Sequence, residues 1–310
     1  MGSSAAILRA MQDSRDGQVI LVSGCSGGFG YRAARELARR GHIVYAGLRE
    51  PEGRNADRAA ALREFASQAN AALHIVQLDV DDAGSVDAAV EHVVMNSAGR
   101  IDALVSTAAY SVMGPIEACR PEQLLAELNT NVVGALRLFR AVLPPMRQAG
   151  RGRILQVTSG LGRAAVPFMG PYSLSAWAQE CIAEVLHYEA AVFGIEVAIL
   201  EPSAYHTDLG GPAVKAVGDA ERLPHYEAQL VAFAEKLQLS DPAAAAAADP
   251  EEVARAVADA ISADTLPLRT PVGASAEALV RLRSESTTGE FRAVILDKTG
   301  LGEFVKAPHR

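Results

Sequence analysis

Cysteine is scarce in this chain: Cys25, Cys119 and Cys181 are the only three in 310 residues, odd in number and far apart. That excludes a disulfide framework and a cysteine-held metal centre, and it fits a reducing cytoplasm. Positive charge is not in excess either. The formal net charge of −8 argues against a nucleic-acid surface, which needs clustered Lys and Arg. Long apolar runs are missing: none approaches the roughly 20 residues of a membrane span, and the first residues lack a charged-then-apolar leader pattern. Aromatics make up only 5% of the chain, yet 49% of it is apolar. A full core can therefore close, and one large domain is the simplest count.

What is present is organised around Val19-Ile20-Leu21-Val22, the turn Ser23-Gly24-Cys25-Ser26-Gly27-Gly28-Phe29-Gly30, and a helical pattern through Ala33, Leu37 and Ala38. The order is strand, turn, helix. Gly24, Gly28 and Gly30 permit a sharp bend and bring free N–H groups at a helix N-terminus close to a phosphate, while a glycine corner alone is common in α/β proteins. Gly41, a good helix C-cap, leads into a second buried strand, 42–47, followed by Leu48-Arg49. No acid stands at the strand tip to hold a ribose 2′-hydroxyl, and Arg49 is placed to accept a 2′-phosphate instead.

The rhythm continues with a helix over 55–69, a strand over 73–80 ending at Asp79-Val80, a helix over 86–97, and a strand over 101–106 ahead of Thr107, Ala108 and Ala109. A long helical stretch over 121–148 carries Asn129 and Asn131 in an apolar setting. Such asparagines serve either a functional role or a buried amide that satisfies backbone groups. A fifth strand over 152–160 ends in Thr158 and Ser159, Tyr172 begins a helix, and 195–200 is a sixth strand. Arg269 to Gly273 suggests a seventh strand at an edge, where Pro271 is acceptable. This β-α-β-α order with short connections requires a doubly wound parallel sheet with right-handed crossovers.

From Val19 to Thr207, with an echo around 269–273, these residues together resemble the short-chain dehydrogenase/reductase (SDR) family. Gly24-x-x-x-Gly28-x-Gly30 is similar to that family's cofactor turn, and Asp79-Val80 to its adenine-contacting pair. Asn131-Val132-Val133-Gly134 is similar to its helix-asparagine segment, and Ser159, thirteen residues before Tyr172, to its serine and tyrosine. Pro202 to Thr207 resembles the loop whose threonine holds the nicotinamide carboxamide, with Ser203 where glycine is usual. The 45–49 stretch is most similar to NADPH-preferring members such as the 17β-hydroxysteroid dehydrogenases. The resemblance implies an α/β fold with a single Rossmann-type doubly wound parallel sheet of about seven strands flanked by helices. It also implies NADP(H) as cofactor, held by Gly24, Ser26, Gly28, Phe29, Gly30, Arg49, Asp79, Val80, Ser106, Ala108, Pro202 and Thr207, with no metal. Tyr172, Ser159 and Asn131 are the implied catalytic residues, and pairing into a homodimer or homotetramer through 121–148 and 172–193, with Trp177 and Leu186 in the seam, is implied as well.

Two departures bear on chemistry. Ser106-Thr107-Ala108-Ala109 replaces the family's Asn-Asn-Ala-Gly, and small residues there still let a ribose approach. The larger departure is Tyr172-Ser173-Leu174-Ser175-Ala176, which has alanine where the family has lysine. Losing two or three units of pKa lowering on a phenol forgoes roughly 3–4 kcal/mol of tuning. Lys215, Lys236, His187 and His206 are the stand-ins the sequence offers, and a lone histidine is more often structural. Three functions follow: an NADPH-dependent carbonyl reductase or alcohol dehydrogenase, a non-redox dehydratase, cyclase or isomerase using Tyr172 and Ser159 as an acid pair, or a non-catalytic nucleotide binder. Retention of serine, tyrosine and asparagine together speaks against the pure binding role, absence of the lysine speaks against an ordinary reductase, and the balance leans to the oxidoreductase.

Residues 1–17 form a lead-in, 18–286 the domain, and 287–310 a polar tail. Within the domain, about 208–240 forms a lid whose run with Tyr226, Leu230, Phe233 and Leu237 suggests a hydrophobic or aromatic substrate, an ordinary surface helix being the alternative. Asp249-Pro250-Glu251-Glu252 starts a further helix with its stripe over 253–261, and 275–284 gives another.

Overall fold

The computed structural model describes residues 17–203, 205, 214–215, 222–236 and 249–305. Alternation within β1 (Val19–Val22) sets the layering. Ile20 and Val22 point to one side of the sheet and Val19 and Leu21 to the other, and all four are buried. A strand buried on both faces needs an apolar run of this kind.

After β1 come α1 (Gly28–Arg39), β2 (Ile43–Leu48), α2 (Ala56–Ala69), β3 (Leu73–Gln77), α3 (Ala83–Asn96) and β4 (Ala103–Ser106). Short β5 (Val112–Met113) precedes α4 (Pro121–Leu128) and α5 (Gly134–Ala149). Then follow β6 (Gly152–Val157), α6 (Gly170–Ala191), β7 (Ile195–Pro202), short β8 (Val214–Lys215), α7 (Glu227–Lys236), α8 (Glu251–Ser262), β9 (Arg269–Val272), α9 (Ala274–Glu285) and α10 (Thr288–Lys298). The main sheet has seven parallel strands in the order β3-β2-β1-β4-β6-β7-β9. The order reverses between β1 and β4, and that switch point opens a crevice at the strands' carboxyl ends. One core layer joins β1 and β2 to α1, α2 and α8 through Leu37, Leu62, Val253 and Val257. The other joins them to α3, α5 and α6 through Val90, Leu138, Phe139 and Ala183. β5 pairs with β8 in a separate two-stranded sheet, Val112 opposite Val214.

Three local expectations differ from what is observed. The helical stretch over 121–148 is interrupted by a π-helical turn, Asn129–Val133, between α4 and α5. The polar tail from residue 287 instead carries α10. Its N-terminus is closed by a capping box in which Thr287 Oγ1 accepts from the Glu290 N–H at 3.3 Å and Glu290 accepts from the Thr287 N–H at 2.8 Å. That is a reciprocal satisfaction of two orphan donors. At α8 Pro250 stands at the N-cap rather than at the first helical position, while the Asp249 carboxylate, expected as the cap, accepts from the Glu251 N–H at 3.0 Å.

Arg153 on β6 was not anticipated. It is buried, and its guanidinium donates to the main-chain carbonyls of Ala260 (2.6 Å), Ile261 (2.9 Å) and Ala263 (2.9 Å), with Glu196 as its ion partner. These are the orphan carbonyls at the C-terminus of α8, where a cation also meets the negative end of the helix dipole. Arg153→Leu leaves three carbonyls without their donor, each costing about 1–3 kcal/mol when buried. The expected loss is at least about 3 kcal/mol in urea unfolding; a loss under about 1 kcal/mol would remove Arg153 from this role.

Candidate functional site

The turn after β1 is bent as the glycines require. Gly24 and Gly28 have φ of 72° and 54°, in the left-handed region. A Cβ on Gly30 would lie 2.5 Å from Thr107 Oγ1 and 2.7 Å from the Gly24 carbonyl oxygen, so no larger residue fits. The loop after β4 locks onto this turn. Ser23 Oγ accepts from the Thr107 N–H at 3.0 Å, and Thr107 Oγ1 donates to the Ser23 carbonyl at 2.6 Å. Thr107 thereby ties the two strands at the point where the family has asparagine.

Beside the turn lies a cleft of about 460 Å³. It is lined by Gly24, Ser26, Gly28, Phe29, Gly30, Arg49, Val80 and Ala108, all expected from the sequence. Asp81, Thr107, Tyr110, Asn129 and Thr130 line it too and were not. Asp79 is not in the lining; its carboxylate accepts from the Asp81 N–H at 3.1 Å and shapes the corner from behind. Arg49 lies 3.8 Å from Asp81, and Asp81 accepts from Asn129 Nδ2 (3.0 Å) and Thr130 Oγ1 (2.8 Å). Asn129 therefore serves the π turn's connection to Asp81, and it also accepts from Arg137 at 3.0 Å. Ser106 is buried on β4, and Pro202 ends β7, paired with Val272 of β9. Thr207 and His206 lie outside the described residues.

Ser159 follows β6, where its hydroxyl accepts from the Leu161 N–H at 3.2 Å and caps a short 3₁₀ turn. Tyr172, in the first turn of α6, hydrogen-bonds Ser159 side chain to side chain. The thirteen-residue spacing thus brings the two hydroxyls together. Burial pushes the Tyr172 phenol above its ordinary pKa; Ser159 pulls it back and the charge of Glu127 pushes it up further. Asn131 is fully buried in the π turn, accepting from the Tyr110 N–H (3.0 Å) and donating to Tyr110 O (2.8 Å) and Ser175 Oγ (2.9 Å). Its own carbonyl accepts from Gln179 Nε2 at 2.8 Å.

Ala176 is fully buried one helical turn after Tyr172. His187 is spent structurally, its Nδ1 2.9 Å from the Val197 carbonyl on β7. Lys236 ends α7, away from this turn in sequence, and Lys215 stands in β8, opposite Met113. Among the described residues no group of three or more His, Cys, Asp or Glu could hold a metal, and no helix is long and apolar enough to cross a membrane. Part of the region over 208–240 is described. Phe233 of α7 is buried edge-on against Phe168, centroids 5.2 Å apart, in the loop between Ser159 and Tyr172.

A family model described as short chain dehydrogenase matches residues 18–217. The chain belongs to the short-chain dehydrogenases. It is thus an oxidoreductase of that type. Among its relatives is the 3-ketodihydrosphingosine reductase of Bacteroides thetaiotaomicron, 34% identical over 61% of this chain and 65% of that protein, just under two thirds of its length. The 17-beta-hydroxysteroid dehydrogenase type 1 of Mus musculus is 34% identical over 88% of this chain and 79% of its own. Among solved structures, a short-chain dehydrogenase from Streptomyces avermitilis superposes with a TM-score of 0.72 at 28% identity, covering 92% of this chain and 98% of that one. A variant of the actinorhodin polyketide ketoreductase with NADPH gives 0.65 at 27% identity, covering 83% and 96%. The Rossmann-type sheet and the SDR motif order thus agree with the short-chain dehydrogenase assignment.

Proposed function

We propose that this chain is an NADPH-dependent ketoreductase, or the corresponding alcohol dehydrogenase, acting on a hydrophobic small molecule. The observation that carries the proposal is the Ser159–Tyr172 hydroxyl pair after β6, in a chain whose β1 turn builds a cleft on Gly24, Gly28 and Gly30; the pair itself is not part of that cleft's lining. The cradle fits a dinucleotide: free N–H groups at the start of α1 suit a pyrophosphate, and only glycine leaves room there. NADPH, when bound, supplies a hydride to the carbonyl carbon. Ser159 donates a hydrogen bond that polarises the carbonyl, and Tyr172 gives its phenol proton to the oxygen. Pro202 and Thr207 are proposed at the nicotinamide end, and Asn131 as support for the Tyr172 neighbourhood. The Phe168–Phe233 contact and the names of the steroid and sphingoid relatives favour an apolar substrate.

Arg49 is the proposed 2′-phosphate ligand. It is 43% exposed at the cleft wall, and Asp81 at 3.8 Å is a weak competitor that a dianionic phosphate displaces. Titration calorimetry with NADPH and NADH, followed by reduced-nicotinamide absorbance with aromatic ketones, tests the whole reading. Native protein is expected to prefer NADPH, and Arg49→Ala to weaken NADPH binding by about tenfold or more while leaving NADH nearly unchanged. Equal weakening of both would move the 2′-phosphate elsewhere. Nucleotide binding without oxidation would favour the non-redox reading that the buried Ala176 suggests.

Pairing of two copies is proposed through α4–α6. Leu125, Val133, Leu174, Trp177 and Val192 stand exposed there, and stretches of exposed apolar side chains mark association surfaces. All three cysteines are free, which favours a reducing compartment.

A further inference from the structure

Glu127 is a carboxyl group with 0% exposure, in the last turn of α4, that the mechanism above does not use. A buried carboxyl needs partners. Glu127 has them: its Oε2 accepts from the Val112 N–H at 3.0 Å, and its Oε1 from Ser175 Oγ at 3.1 Å and, more loosely, Asn131 Nδ2 at 3.4 Å. Ser175 Oγ also lies 2.9 Å from the Tyr172 carbonyl and takes the Asn131 amide at 2.9 Å. One carboxyl thus joins β5, the π turn and the first turn of α6, the three elements that frame Tyr172.

We propose that Glu127 is a positioning residue for Tyr172: through Ser175 and Asn131 it fixes the helical turn that carries the phenol. This rests on the ketoreductase reading for the use to which the phenol's proton is put. The placement of the partners supports it. The Val112 N–H is a donor only and fixes Oε2 as an acceptor, while the single Ser175 proton is shared between Oε1 and the Tyr172 carbonyl and the Asn131 amide protons point first at Tyr110 O and Ser175 Oγ, so Oε1 meets Ser175 in either protonation state. Burial raises Glu127 to about 7, with the Val112 amide and the Ser175 hydroxyl pulling down. The titratable groups that face it are Tyr110 in the loop after β4, Cys119 just ahead of α4 and Tyr172 on α6; Asp81 and Arg49 reach it only as the outer neighbours of Tyr110. Tyr110, Cys119 and Tyr172 are all pushed up by its charge, and none of them is ionised near neutrality. Glu127 is therefore the group of this set that changes charge around pH 7. With alanine at 176 the ionic influence on the phenol is the negative one of Glu127, which keeps Tyr172 protonated at neutral pH.

The test is a titration of protein labelled with ¹³C in the tyrosine rings, with the Tyr172 resonance assigned by its loss in Tyr172→Phe. In native protein the resonance should shift in a step near pH 7 as Glu127 ionises, and the phenol should stay protonated above pH 10. In Glu127→Gln the step should vanish and phenol ionisation should move to lower pH. A second variant, Ser175→Ala, keeps the carboxyl and should retain the step. NADPH calorimetry on each variant checks that the fold and cleft survive. No step in native protein, or an unchanged phenol titration in Glu127→Gln, overturns the proposal. In the activity arm, kcat/KM for ketone reduction in native protein should rise through the same pH, and Glu127→Gln should lose about tenfold at pH 8 with no step. A resonance step without turnover would refute the ketoreductase reading while leaving the coupling of Glu127 to Tyr172 standing.

Discussion

Tyr172→Phe is expected to lower kcat/KM for ketone reduction by about 10²–10⁴-fold, the range a positioned proton donor supplies, with NADPH affinity within about twofold of native. The substitution removes one oxygen and keeps the ring, so the packing of the first turn of α6 is preserved. What is lost is the proton and the hydrogen bond with Ser159. Because burial and the Glu127 charge hold the phenol above its ordinary pKa, native activity, once past the step near pH 7 where Glu127 ionises, should stay level until beyond pH 10 and then fall as the proton donor is lost. The sign is that of an acid: a raised pKa extends the protonated form to higher pH. Stopped-flow single turnover with NADPH and an aromatic ketone separates the chemical step from binding. A loss confined to KM would mean that Tyr172 binds substrate without donating to it.

Much of this site is legible along the chain because its pieces are local. The glycine spacing, the Ser159–Tyr172 interval and the Ala176 departure all lie within single strand-turn-helix units, where periodicity and turn chemistry act over a few residues. Helix α10 belongs in the same class: Thr287 and Glu290 are three apart and spell a capping box, and the polar composition around them concealed it. Glu127 is different. Its partners are 15 and 48 residues away in Val112 and Ser175, on elements whose meeting only the sheet order decides. Arg153 likewise reaches 107 to 110 residues to the end of α8. An acid inside a helical pattern and an arginine in a strand both look like solvated charges until the tertiary contacts bury them. The π turn has the same origin. Asn131 holds the Tyr110 backbone and Ser175 at once, and the widened turn lets its amide face both.

The converse substitution, Ala176→Lys, should raise turnover rather than lower it. Position 176 is one turn after Tyr172, so both side chains share a helix face, and an ammonium there favours the phenolate. A lowering of two to three units raises the fraction of tyrosinate at neutral pH by about 10²–10³-fold. Oxidation and reduction pass through one transition state, so at fixed pH their kcat/KM values are tied by the equilibrium constant and the cofactor affinities; with those affinities unchanged, a phenol pKa closer to neutrality should raise both together, by up to about 10²-fold at pH 7. Stability should drop, because Ala176 is fully buried and a lysine stem must displace neighbours before its head reaches the cleft. Paired oxidation and reduction assays, with thermal melts of both proteins, decide the matter. A change that follows NADPH affinity alone, with the chemical step unaltered, would mean that the ammonium acts by holding the cofactor ribose rather than by tuning Tyr172.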